Sequence, residues 1–301
     1  MADELGFDEL FVGDSHMIWR ELYVVLGAIA RSTKRIAIGP GVTHPLVRHF
    51  TVTASAMATL NELAPGRVRL GIGVGSSGPA TIGVRRTGAR ELERTAQAIR
   101  ELLRGQPVEV DGTRLQLSYS NGQTVPIYVA GNSDYTLRAA GRVADASIFS
   151  GPLDALTSAV EMIRQGDAAR SVPLVWMVPS SISDEADAAR EAVKPVVART
   201  ALVWLTRCAK RCELAPEDEG PFERLRQEYD PYRHMTTAYN HLVEERWVDR
   251  FSLAGTPEQV LEGARKAHAA GAEHILMSLH GEDLAQQLRR FAGILQPIQA
   301  L

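Results

Sequence analysis

At 301 residues and 45% hydrophobic content, the chain is long enough to bury a substantial core as one domain or two. A formal charge of −3 with no basic block argues against nucleic acid as a partner, and no apolar run reaches the roughly 18 residues needed to span a bilayer, so no membrane partner is expected. The acidic start, Met1 to Gly6, lacks the pattern of a secretory signal, and the only two cysteines, Cys208 and Cys212, fit a reduced cytoplasmic setting better than a disulfide or half a metal site.

Taken in order, Met1 to Leu5 reads as the end of a helix with Gly6 as its cap, and residues 8–12 as a strand ending at Gly13-Asp14-Ser15-His16. Leu22, Val25, Leu26, Ile29 and Ala30 have helical spacing. A strand over 35–39 closes at Pro40-Gly41-Val42-Thr43-His44-Pro45, and a helix over 49–63 stops at Pro65-Gly66. Next comes Arg67-Val-Arg-Leu-Gly-Ile-Gly-Val-Gly-Ser-Ser77, a buried strand running into a glycine turn. Gly71, Gly73 and Gly75 leave bare backbone there, where something flat or anionic could lie on peptide N–H groups. Its glycines are no Rossmann fingerprint, since Ser76 interrupts the spacing and the motif follows the third strand, not the first.

A loop to Gly88 leads into an amphipathic helix with Leu92, Ala96, Ile99 and Leu103 on one face, and residues 107–125 form an extended excursion. The strand 126–130 is followed by Gly131-Asn132-Ser133, which opens a helix over 134–142; free N–H groups and the helix dipole favour an anion at that point. Strands over 144–149 and 173–178 flank a helix over 153–165. From Ser183, the expected N-cap, residues 183–250 are mostly helical, with His234 and His241 two turns apart on one helix and Tyr239 nearby. Thr256-Pro-Glu-Gln259 is a capping box, 273–278 the last strand, and a helix closes the chain. Alternating helices and nearly continuous apolar strands imply a parallel α/β sheet covered by helices. Seven such strands are counted, and none precedes the first helix. Either the sheet is open and doubly wound, or it is a TIM (β/α)8 barrel lacking its first strand; the second is favoured, as one domain over 1–301 with a helical insertion at 183–250.

Four segments, Leu5-Gly-Phe-Asp-Glu-Leu-Phe-Val-Gly-Asp14, Gly39-Pro-Gly-Val-Thr-His-Pro-Leu-Val-Arg-His49, Leu70-Gly-Ile-Gly-Val-Gly75, and Ala254-Gly-Thr-Pro-Glu258 before Ala269-Ala-Gly-Ala272, together resemble the bacterial luciferase-like superfamily. Within it the resemblance is to the branch that uses the deazaflavin coenzyme F420, which includes methylenetetrahydromethanopterin reductases. That resemblance implies a TIM barrel with the ring at the C-terminal strand ends and a non-proline cis peptide, here Gly41–Val42, behind it. It further implies Thr43 and His44 at the ring edge, Asp14 at the pyrimidine end or a ring carbonyl, and Gly73, Gly75 and Ser76 along the ring or ribityl chain. Ala130, Gly131, Asn132 and Ser133 would receive the phosphate. Sugar-phosphate dehydrogenases of this branch carry a histidine and a glutamate where Ser15 and Ser76 stand, while their tryptophan is matched by Trp19. The acid–base pair for alcohol oxidation is therefore missing.

The function expected from the resemblance is an F420-dependent oxidoreductase that reduces a C=C or C=N bond of a small molecule, with His16, His44, His234 and Tyr239 as proton-donor candidates in that order. Ser15 is a further candidate donor, and Trp19 a wall against the ring. The Arg207 to Arg211 run reads as a solvated face or as a site for the coenzyme's acidic tail. The alternatives are an FMN-dependent monooxygenase, that is, a flavoprotein on the same scaffold, and a cofactor-free binding or scaffold protein. Family members commonly form homodimers, so a homodimer is expected here. No metal set stands out.

Overall fold

The computed structural model describes residues 1–120, 122–211, 213–230, 233 and 236–301; Cys212 and His234 lie outside the described residues. In chain order the first elements are α1 (Ala2–Leu5), β1 (Glu9–Val12), α2 (Leu22–Ser32), β2 (Ala37–Pro40), α3 (Phe50–Leu63), β3 (Leu70–Gly73), α4 (Ser77–Ala80) and α5 (Ala89–Leu103). There follow β4 (Val108–Val110), β5 (Thr113–Leu115), β6 (Ile127–Ala130), α6 (Asp134–Val143), β7 (Ala146–Phe149), α7 (Leu156–Arg164) and β8 (Leu174–Ile182). The chain finishes with α8 (Ala186–Lys210), α9 (Pro216–Glu228), α10 (Glu245–Phe251), β9 (Leu253–Gly255), α11 (Pro257–Ala269), β10 (Ala272–Leu279) and α12 (Leu284–Gln299). No helix among the described residues is long and apolar enough to cross a membrane. Met1 aside, the chain divides into two compact units, residues 2–148 with 159–174, and residues 149–158 with 175–301.

In the first unit β1 lies parallel to β2, with Glu9 beside Ala37 and Val12 beside Pro40. Single bridges, Ile38 to Val68 and Thr43 to Ile72, join the β2 segment to the β3 segment. β3, β6 and β7 then run parallel side by side. Every residue of β2, β3 and β7 is buried, which is why these strands read as apolar runs without alternation. Leu92, Ala96, Ile99 and Leu103 of α5 form the buried face that their spacing predicts. The excursion over 107–125 contains the antiparallel hairpin of β4 and β5. Ion pairs tie α5 to the end of α6: Arg142 to Glu93 at 2.7 Å and Arg100 to Asp145 at 2.9 Å.

The second unit pairs β8 with β9, Ser180 opposite Leu253, and sets β10 on another side of β8. With the β4–β5 hairpin set aside, β9 is an eighth strand where seven were expected. With three residues it is too short for any period to show. β8 runs four residues past its expected end at Val178, through Pro179; proline removes only a donor, and the Ser180 carbonyl still accepts the His280 N–H at 2.9 Å. The expected N-cap Ser183 is corrected to Glu185: the Ser183 hydroxyl instead accepts the Glu185 N–H at 3.3 Å, ahead of the helix. His241 lies in a 3-10 turn over Thr237–Leu242, not on a long helix.

The helical stretch has a core of its own. Val193, Val197, Ala201 and Leu205 of α8 pack with Phe222 and Leu225 of α9 and with Trp247 and Phe251 of α10; each large side chain so buried contributes about 1.5–3 kcal/mol. At its centre Asp218, 2% exposed, accepts from the Arg246 guanidinium at 2.9 Å, the Trp247 indole N–H at 2.7 Å and Arg250 at 3.2 Å.

His280, just past β10, is buried beside Ser278, and burial pushes its imidazole down to about 4. Because the folded value lies below the ordinary 6.5, the unfolded chain takes up a proton first as the pH falls. Stability is thus lost between about pH 6.5 and 4 and not further below. His280→Gln is expected to flatten that limb: melting temperatures measured from pH 7 to 4 should fall less steeply than in the unaltered protein.

Candidate active site

The first unit gathers the ends of its parallel strands at one edge, and the sequence changes character there. β1 gives way to Gly13 and Asp14. A side chain at Gly13 would meet the Trp19 ring at 2.7 Å, so the indole rests on bare backbone while remaining half-exposed. Backbone N–H groups of Ile18 and Trp19 donate to the Ser15 carbonyl, closing the turn that brings Trp19 back.

Asp14 is 6% exposed and one oxygen of its carboxylate carries two hydrogen bonds. Oδ2 accepts from the Thr43 hydroxyl at 2.7 Å and from Arg48 Nη1 at 2.7 Å. Arg48 donates its other nitrogen to Glu21 at 2.6 Å and lies over the Tyr23 ring, 5.1 Å from its centroid. Glu21 in turn caps α2 by accepting the Val24 N–H. The result is a charged chain, Glu21–Arg48–Asp14, with Thr43 at its inner end. The sequence offers no sign of it, because the Asp14 and Glu21 partners lie 34 and 27 positions from Arg48.

After β2 the Gly41–Val42 peptide is cis. Val42 then lies against β3, its methyls 3.1 and 3.2 Å from where side chains at Gly71 and Gly73 would begin. Thr43 is locked to the same strand: its N–H donates to the Gly71 carbonyl, and its carbonyl accepts the Gly73 N–H, both at 2.9 Å. Gly73 sits beside Ala130 in the parallel register. Gly75 has φ +84, open to glycine at little cost, and a side chain there would strike Pro79 at 2.7 Å.

His44 is 3% exposed and neither ring nitrogen has a hydrogen-bond partner. Its Nε2 faces Gly78, where any side chain would come within 2.7 Å. Burial holds the imidazole below its ordinary range, so it is neutral. His16 is near enough to act on it electrostatically, and His16 Nδ1 is likewise buried without a partner. Buried polar atoms left unsatisfied in this way mark where a bound group would complete the bonding. The Ser15 hydroxyl is 2.6 Å from that of Ser77, the first residue of α4. Ser76, just before it, sits at the N-terminal end of that short helix.

Beyond β6 the Gly131 N–H donates to the Ile148 carbonyl at 3.0 Å, and Ser133 forms a reciprocal capping box with Thr136 at the start of α6. A methyl at Gly131 would lie 2.2 Å from Thr136 Oγ1. Asn132 lies between them, in the bend joining β6 to α6. Asp14, Ser15, His16, Trp19, the Gly41–His44 turn, Gly73, Gly75, Ser76 and residues 130–133 all belong to the first unit. Arg48, Tyr23, Ser77 and Gly78 join them unannounced. Tyr239 belongs to the second unit, where it packs on Tyr229 and accepts the Asp230 N–H at 3.0 Å. The Arg207 guanidinium lies on the Trp204 ring.

A family model described as luciferase-like monooxygenase matches residues 1–274. A 5,10-methylenetetrahydromethanopterin reductase of Archaeoglobus fulgidus is 29% identical, the match covering 92% of this chain and 86% of that protein. An F420-dependent glucose-6-phosphate dehydrogenase of Beutenbergia cavernae is 30% identical, covering 99% and 90%. The structure of the coenzyme F420 dependent tetrahydromethanopterin reductase of Methanopyrus kandleri superposes with a TM-score of 0.80 at 24% identity, over 97% of this chain and 91% of that one.

Proposed function

The chain belongs to the luciferase-like monooxygenase family and has its TIM-barrel fold; from that premise we propose that it is an F420-dependent oxidoreductase that reduces a C=C or C=N bond of a small organic molecule. The observation that carries this reading is the meeting of the cis Gly41–Val42 turn with Gly71 and Gly73, beside the Gly131–Ser133 bend. A face of β3 bared by Gly71 and Gly73, with Val42 laid across it, suits one face of a flat tricyclic ring. The N–H groups at the start of α6 suit its phosphate. Relatives whose names include coenzyme F420 support the same choice.

When bound, that coenzyme supplies the hydride from its ring. The residues of the chain position it and handle the proton. Asp14, fixed by Arg48 and Thr43, would hold the ring's pyrimidine edge, and Trp19 would close one side. A neutral His44 suits hydrogen bonding to an uncharged ring rather than proton delivery, so His16 is assigned as the proton donor. Reduction is preferred to alcohol oxidation because serines stand at both positions of the dehydrogenase acid–base pair, and Ser15 is already bonded to Ser77.

Fluorescence titration of the purified protein with F420 and with FMN tests the assignment. Saturable binding of F420 alone is expected; tight FMN binding without F420 would reverse it in favour of a monooxygenase, and binding of neither in favour of a cofactor-free protein. Gly131→Ala forces Thr136 out of the capping box, so affinity for F420 is expected to fall about tenfold, the loss of one charge-assisted hydrogen bond. Affinity for the phosphate-free deazaflavin alcohol should stay unchanged in the same titration.

A further inference from the structure

A cluster of cations outside the site just described has no structural partner. Arg85, Arg86 and Arg90 fall within six residues, all exposed, and none makes a hydrogen bond or ion pair among the described residues. The adjacent carboxylate, Glu91, is taken by Arg94 at 3.1 Å. Elsewhere in this unit the arginines are mostly matched: Arg48 to Asp14, Arg69 to Glu9, Arg100 to Asp145 and Arg142 to Glu93. The three unmatched ones also crowd the start of α5, where the positive end of the helix dipole disfavours cations. Like charges so placed repel one another, and they leave three neighbouring guanidiniums open to an anionic ligand.

Their position identifies that something. The segment leaves β3 and is tied back to it by the Thr87 N–H donating to the Val74 carbonyl at 3.0 Å. α5 follows β3 and α6 follows β6, which is parallel to β3, so both helices start from the same edge. Ion pairs between Arg100 and Asp145 and between Arg142 and Glu93 hold the two helices side by side. The arginines at the start of α5 therefore share an edge of the sheet with the Gly131–Ser133 bend at the start of α6.

We propose that Arg85, Arg86 and Arg90 bind the anionic oligoglutamate tail of the coenzyme where it leaves the phosphate bend. This rests on the F420 reading above. Guanidinium forks match carboxylates bidentately, and an exposed row of them follows a flexible polyanion without needing a pocket. It also moves the tail away from the Arg207 to Arg211 run.

The test compares dissociation constants for F420 bearing several glutamates and for the same phosphate-bearing coenzyme with none. Each is measured by fluorescence at low salt and at about 0.5 M salt, where the Debye length falls below about 5 Å. The unaltered protein is expected to bind the tailed form at least tenfold more tightly at low salt, and to lose most of that preference at high salt. R85Q/R86Q/R90Q should bind both forms alike, with the tailless affinity unchanged and the melting temperature no lower; R207Q/K210Q/R211Q should keep the preference. An unaltered protein indifferent to the tail, a triple variant that keeps the preference, or one that weakens both forms equally would overturn the proposal. Failure of the unaltered protein to bind even the tailless coenzyme would overturn the F420 reading itself, a different result.

Discussion

Asp218→Ala is expected to lower the stability of the protein by about 2–4 kcal/mol, read from equilibrium denaturation. The carboxylate is the only acceptor on which Arg246, Arg250 and the Trp247 indole converge, and it is almost completely buried. Removing it leaves the buried Trp247 indole N–H without its acceptor and opens a space beneath Arg246 and Arg250, which keep Glu244 and Asp154. Asp218→Asn should cost less, since an amide oxygen still accepts from Trp247 while the charge is gone. A loss below about 1 kcal/mol for alanine, the size expected of an exposed ion pair, would mean that α9 and α10 are held by their apolar contacts alone.

For Asp14→Ala the expected result is a loss of roughly a hundredfold in F420 affinity, from two charge-assisted hydrogen bonds at about 1.5–3 kcal/mol each, partly offset by relaxation. The side chain has two jobs in this reading. It faces the ring, and it anchors both the Thr43 hydroxyl and the Arg48 guanidinium. Without it Arg48 keeps the half-exposed Glu21 and the face of Tyr23, and the turn after the cis peptide loses a fixed point. Asp14→Asn leaves an acceptor for Thr43 but no counter-charge, so an intermediate loss is expected. A dissociation constant within twofold of the unaltered protein would remove Asp14 from the site.

What could be read ahead of the structure was local. The glycines at 71, 73 and 75, the bend at 131–133 and the Thr256–Gln259 box are set by backbone demands within a few residues, and all appear where expected. The cis bond at Gly41–Val42 came from the resemblance, and it is there. What escaped was long-range or very short. No spacing rule links Arg48 to Asp14, or three donors from one helix to Asp218 on another. β9 is three residues long, and β8 continues through a proline because a strand at that point needs only the carbonyl beyond it. The unmatched arginines at 85, 86 and 90 were visible as letters, but only the absence of partners distinguishes them from the many paired ones.

The way Val42 rests on Gly71 and Gly73 also matters to anyone reshaping this enzyme. Its two methyls are the nearest side-chain carbons to both glycines, with the Ala130 methyl next to Gly73. Trimming them to alanine opens headroom without disturbing a strand, whereas a side chain at Gly71 drives into the Pro40 carbonyl and one at Gly73 asks Val42 to give way by a few tenths of an ångström. Redesign for bulkier ring systems therefore starts at Val42 and leaves Gly71 untouched.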